Sequence, residues 1–176
     1  MSNSVVGELE AHLSAQGLSM DPAFALMADA HRNLEKGAEA ESMMPGFLED
    51  LPPDLMEIAR SAMCGDGWVS TRPGIEFLLL EVPGSKITEH GGRVMIVRME
   101  PGSEGRPHRH TGEEFNLVLE GSVLGKRGEK SRGDLVHNRP GSIHKAQATN
   151  HAGCVALSII TGPLEDVGQE QLALNA

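Results

Sequence analysis

The stretch 102–121, GSEGRPHRHTGEEFNLVLEG, constrains this chain more than any other. His108 and His110 stand one residue apart, and Glu114 follows His110 by four positions. Side chains two apart in a strand share a face, so both imidazoles would point into one space. Thr111-Gly112 reads as a turn that lets Glu114 come back toward the same point from a neighbouring strand. Two imidazoles and a carboxylate converging in this way form a first-row metal site lacking one ligand. After Asp66 the other histidines are His90, His137, His144 and His151. His144 is the best placed, because Arg139-Pro140-Gly141-Ser142-Ile143 forms a turn that delivers the chain into a new strand. The set His108, His110, Glu114 and His144 is three nitrogens and one oxygen, suited to Fe(II), Mn(II), Ni(II), Co(II) or Zn(II). On an octahedral ion it leaves two positions open; on zinc, four ligands can close a structural site.

The setting of this stretch is β-rich. After Asp66, short apolar runs alternate with glycine and proline, at 68–71, 75–82, 86–89, 93–100, 107–111, 114–119, 123–126, 134–137, 143–149 and 155–161. Many short strands with frequent turns predict an all-β sandwich or barrel. Before Asp66 the chain is different. Residues 1–66 carry 12 acidic and 3 basic side chains, a net of −9, whereas 67–176 carry 13 and 12, a net of −1. That step predicts a helical, acidic N-terminal extension over 1–66, a β-barrel over 67–162, and a tail over 163–176 that is a short helix or disordered.

Within the extension, residues 4–16 have the spacing of a short helix. Asp21-Pro22 is a capping side chain followed by proline at the first helical position, with Phe24, Met27, His31 and Leu34 on one stripe. That stripe is expected to pack on the barrel or on a second subunit, with His31 structural. Residues 38–50 read as a linker. Pro52-Pro53-Asp54 opens a third helix ending near Gly65, with Cys64 expected to be a small buried hydrophobe.

Composition excludes several functions. A net charge of −10 makes nucleic acid and anionic membrane poor partners. The chain has no Tyr, one Trp and four Phe, so few side chains can stack on bases or sugars. Two isolated cysteines form no disulfide framework. No basic region leads into an apolar run at the N-terminus, and no apolar stretch reaches the ~18 residues of a membrane helix. The expectation is a soluble, cytoplasmic homodimer, with the helical arm as a dimerisation or barrel-capping element.

The stretch 102–121 resembles the first cupin motif, with Gly102, His108, His110, Glu114 and Gly121 each at the motif's spacing. Gly133, Gly141 and His144 match the second motif; Arg139 stands where proline is usual and Ala148 where asparagine is usual. More narrowly, WVSTRPGIEF, VRMEPGS, HRHTGEEFNLVLEG and GDLVHNRPGSIH resemble the cupin-like domain of ChrR-type anti-sigma factors, over about 68–162. The same branch includes stand-alone cupins such as dihydroxyacetophenone dioxygenase, with acetylacetone dioxygenase more distant. The resemblance implies a double-stranded β-helix holding one divalent metal through His108, His110, Glu114 and His144.

Two functions follow. The favoured one is a mononuclear non-haem Fe(II) dioxygenase acting on a small hydroxyketone or diketone, with Zn, Mn, Ni or Co as other possible ions. The alternative is a non-catalytic, ChrR-like regulatory or sensor cupin that binds a metal or a small ligand. The anti-sigma form of that alternative needs a His/Cys helical motif with a CxxC element. Residues 1–66 offer only His12, His31 and Cys64. Cupin lyases that use a tyrosine base have no counterpart here. Arg109 should turn away from the flanking histidines, Arg98, Arg106 and Arg139 are candidate anion anchors, His137 is expected outside the pocket, and Cys154 in the core.

Overall fold

A computed structural model describes residues 5–15, 17–18, 21–36, 46–65, 67–125 and 128–173. Three helices come first: α1 (Val5–Ala15), α2 (Pro22–Lys36) and α3 (Pro53–Cys64). Strands β1 (Val69–Arg72), β2 (Ile75–Leu79), β3 (Arg93–Met99), β4 (His108–His110) and β5 (Glu114–Gly125) follow. The chain continues through β6 (Gly128–Ser131), β7 (Leu135–Asn138), β8 (Ile143–His144), β9 (Cys154–Ile160) and β10 (Leu164–Asp166), and closes on α4 (Gln169–Ala173). Short 3-10 turns cover Gly46–Leu48 and Ile87–His90.

The strands form two sheets. A seven-stranded antiparallel sheet runs β1-β2-β3-β9-β5-β6, with β7 also paired to β5, and a separate three-stranded sheet runs β10-β4-β8. The two are not hydrogen-bonded into a closed barrel. The expected all-β double-stranded β-helix is therefore corrected to a mixed α/β arrangement in which an open sheet is covered on one face by helices. The reason lies in the central strands, whose two faces are both apolar. On β3, Val94 and Ile96 face the helices while Met95, Val97 and Met99 face inward; on β9, Val155, Leu157 and Ile159 face the helices while Cys154, Ala156 and Ile160 face inward. All seven residues of β9 are buried, which is why its sequence, CVALSII, lacks alternation.

The helices complete the main core. Leu13, Phe24, Met27, Leu55 and Ala59 pack in one cluster with Leu78, Ile96, Phe115, Leu117, Leu157 and Ile159. Phe24 meets Phe115 edge to face, ring centroids 5.5 Å apart. The stripe of α2 thus lies on the sheet. Asp21 starts that helix as its sequence predicts: its carboxylate accepts from Ala23 N–H at 3.0 Å and, through its other oxygen, from Lys86 N–H at 2.8 Å. Asp50 anchors the approach to α3, accepting both guanidinium nitrogens of Arg132 at 2.7 and 2.8 Å. Ile96 is fully buried at the centre of the sheet, so Ile96→Val is expected to cost about 1 kcal/mol in a denaturant titration.

Several local expectations differ. Cys64 is exposed, because it ends α3 beyond the buried stripe of Leu55 and Ala59. Residues 86–89 form part of a 3-10 turn closed by Gly91, where a strand was expected. The tail holds a strand, β10, and the five-residue α4. Residues 38–45 of the expected linker lie outside the described residues.

Candidate metal centre

Two sheets supply the four side chains. His108 and His110 lie on β4 and His144 on β8; His108 and His144 are direct cross-strand partners. Glu114 comes from β5 in the opposing sheet, so the stretch 102–121 crosses from one sheet to the other between His110 and Glu114. Gly112 permits that crossing: a Cβ there would sit 2.5 Å from Thr161 Oγ1 and 2.6 Å from Gly162 N. The delivery of His144 is equally specific. Ser142 N–H donates to Arg139 C=O at 3.0 Å across Pro140-Gly141, and Gly141 has φ 81°, the geometry of a type II turn with proline first and glycine second. Gly141 N–H donates to His110 C=O at 2.7 Å, and His110 N–H donates to Ser142 C=O at 3.1 Å, binding the turn to β4. Proline one place later than usual in the motif is thus the proline this turn requires.

The ligand atoms of His108, His110, Glu114 and His144 all lie within 4.8 Å of one another. The imidazole centroids are 4.6 to 4.9 Å apart. Glu114 Oε2 stands 3.5 Å from His110 Nε2 and 3.4 Å from His144 Nε2. His108 Nδ1 is 2.9 Å from Arg106 C=O and can only donate there, which leaves Nε2 as a lone pair aimed at the cluster. His108 Nε2, both ring nitrogens of His110, and His144 Nε2 are buried without a hydrogen-bond partner. Buried polar atoms are normally satisfied, so this concentration at one point fits a cation-binding role for the cluster. Neutral imidazole lone pairs and one carboxylate are also the chemistry of a divalent first-row site.

Electrostatics keeps His108, His110 and Glu114 in ligating form. Burial pushes His110 down to about 4, beyond the upward pull of Glu114, and His144 and His108 add to the depression. Burial also lowers His108, partly offset by the Arg106 carbonyl. Burial alone would raise Glu114, but His144, His110 and Asn138 outweigh it and hold the carboxyl at about 2. The unfolded chain therefore takes up protons on His108 and His110 before the folded one does. The His110 contribution to stability is complete above pH 6.5 and disappears as pH falls toward about 4. Thermal denaturation of the metal-free protein is expected to show a Tm that declines through this window.

Asn138 was not singled out by sequence, where it is one more polar residue before Arg139-Pro140. It is buried opposite Glu114 across the β5–β7 ladder and donates Nδ2–H to Glu114 Oε2 at 2.7 Å. This bond orients the carboxylate. Asn138→Ala is expected to weaken metal binding by about 10- to 100-fold in a competition titration. The neighbouring His137 points to the other face. It lies 2.6 Å from Glu113 Oε2 and stacks on Phe115 at 4.5 Å, outside the cavity lining.

A cavity of about 550 Å³ opens on the cluster, with Met95, Val97, Phe77, Ile160 and Leu164 among its apolar walls. Asn116 and Ser158, hydrogen-bonded to each other, add a polar spot one row from Glu114. Cys154 lines it as a protonated thiol, pushed by burial to about 12. Of the expected anion anchors, Arg98 pairs with Glu76 and lies over Trp68, and Arg106 faces Asp166 at 3.7 Å. Arg139 is exposed and outside the lining. Arg109 turns outward, 3.6 Å from Glu165. No described helix is long and apolar enough to cross a membrane.

Among solved structures, a chain of the Rhodobacter sphaeroides SigE complex with the anti-sigma ChrR is similar at 17% identity, TM-score 0.59, over 88% of this chain and 96% of that one. An acetylacetone dioxygenase from Acinetobacter johnsonii is similar at 14% identity, TM-score 0.50, over 76% and 80%. An RmlC-like cupin from Ralstonia eutropha is similar at 18% identity, TM-score 0.50, over 58% and 68%. At these identities the likeness is one of fold. No curated protein matches the sequence. The model of the ChrR cupin-like domain matches residues 63–165, which span β1 to β9, most of β10 and all four clustered side chains, and the chain accordingly belongs to the ChrR cupin-like domain family.

Proposed function

We propose that His108, His110, Glu114 and His144 hold one divalent metal at the wall of a small-molecule cavity, and that the protein works as a ligand-responsive binding cupin of ChrR-like kind. The observation that carries the metal assignment is the group of buried, unpartnered imidazole nitrogens facing one carboxylate. The cavity supports a binding role. Among the described residues of its lining, the titratable groups outside the cluster are either guanidiniums, ion-paired as Lys145 is to Glu104 and Asp166 to Arg106, or the protonated Cys154. The helices are committed to the sheet core, and residues 1–66 lack a CxxC element. Both features disfavour an anti-sigma role and leave metal or small-ligand sensing.

A second reading is an Fe(II) dioxygenase. Four protein ligands and an adjoining apolar cavity favour it, since a six-coordinate ion keeps two positions for other ligands. Iron bound there would supply the redox chemistry; the chain's residues would orient the organic molecule and exclude water. Oxygen uptake by the Fe(II)-loaded protein with a panel of β-diketones and hydroxyketones separates the two. The binding role predicts saturable ligand binding with no uptake beyond one O₂ per metal. Sustained uptake with any compound would replace it by the dioxygenase.

A further inference from the structure

The inward face of the seven-stranded sheet is built in rows, and the row through the metal cluster ends in a cation. Arg93 on β3 pairs with Ile160 on β9, Ile160 pairs with Glu114 on β5, and Glu114 pairs with Asn138 on β7. Arg93 has the same strand parity as Met95, Val97 and Met99, and like them it lines the cavity. It is two strands from Glu114, roughly 10 Å between Cα atoms. The side chain is exposed at the cavity mouth, and its guanidinium makes no hydrogen bond or ion pair with any described residue.

The other cations of the cavity are placed differently. Arg106 faces Asp166 and Lys145 pairs with Glu104. Arg72 lies opposite Ile75, in the row of Met99 and Cys154, roughly 20 Å along the strands from the row of Arg93. The carboxylates in the described lining are Glu114, which belongs to the cluster, and Asp166, which faces Arg106. No carboxylate of the described lining is left to neutralise Arg93. A divalent ion with Glu114 would retain about one positive charge, so this end of the cavity attracts anions twice over.

We propose that Arg93 determines the cavity's specificity by selecting a small organic anion, one that presents oxygens to the metal and a separate carboxylate to the guanidinium. A planar guanidinium receives a carboxylate through two parallel hydrogen bonds, which a neutral ligand cannot supply. Between the two polar ends, the walls of Met95, Val97 and Ile160 require a short apolar body. The proposal rests on the metal assignment above.

The test compares two probes that differ in one group, 2,4-dioxopentanoate and pentane-2,4-dione, by calorimetry on Zn(II)-loaded protein with zinc measured in the same samples. The wild type should bind the carboxylate probe at least about tenfold more tightly. Arg93→Gln should abolish that preference while leaving pentane-2,4-dione within about twofold, Arg93→Lys should keep part of it, and Arg106→Gln should keep all of it. With one zinc per chain, a preference that survives in Arg93→Gln, or no preference in the wild type, overturns the role of Arg93 while the metal site stands. Zinc near zero in the wild type overturns the metal assignment and this inference together.

Discussion

Replacing His108 or His144 by alanine is expected to reduce the bound divalent metal from about one per chain to background. The two residues are cross-strand partners, and with Glu114 from the opposing sheet they would hold the ion between the two sheets. Loss of either leaves two imidazoles and a carboxylate, and the effect should exceed the 10- to 100-fold typical of residues that only orient a ligand. His151→Ala is the control, because that side chain is exposed and faces Glu129. It should retain full metal. Elemental analysis of the purified variants, with circular dichroism to confirm that each is folded, makes the comparison. Full occupancy in His108→Ala or His144→Ala would remove them from the site.

Metal loading should also stabilise the fold markedly. In the metal-free protein several buried ring nitrogens have no partner, an arrangement that costs free energy relative to the solvated chain. An ion that binds the folded state alone contributes about 4 kcal/mol at a free concentration a thousand times its dissociation constant. For a chain of this size each kcal/mol moves Tm by about 2–4 °C, so saturating metal should raise Tm by about 8–16 °C. EDTA should reverse the rise. A Tm indifferent to metal and chelator would mean that the cluster is satisfied by some other means.

The four-residue cluster was legible in the sequence because local spacing encodes it. An HxH strand pair, a glutamate four residues on, and a histidine after a Pro-Gly turn are all short-range patterns, and the structure brings these four side chains together. The turn before His144 could be understood only with φ at Gly141 and the hydrogen bond across it. The architecture was less legible. Alternation identifies strands without saying which edges pair, so an open sheet looks like a closed barrel. The apolar stripe of α2 pointed to packing on the barrel or on a second subunit, without showing which strands it covers. Asn138 and Arg93 were missed for a related reason. Each matters through its row across β3, β9, β5 and β7, and such register is set by long-range pairing.

Titration of Co(II) into the metal-free protein tests the central claim most directly, because its absorption reports both stoichiometry and ligand type. Binding through His108, His110, Glu114 and His144 predicts saturation at one equivalent, weak ligand-field bands and no thiolate charge transfer, all lost in His144→Ala. Absence of saturable binding, or a sulfur-to-cobalt band from Cys154 or Cys64, would contradict it.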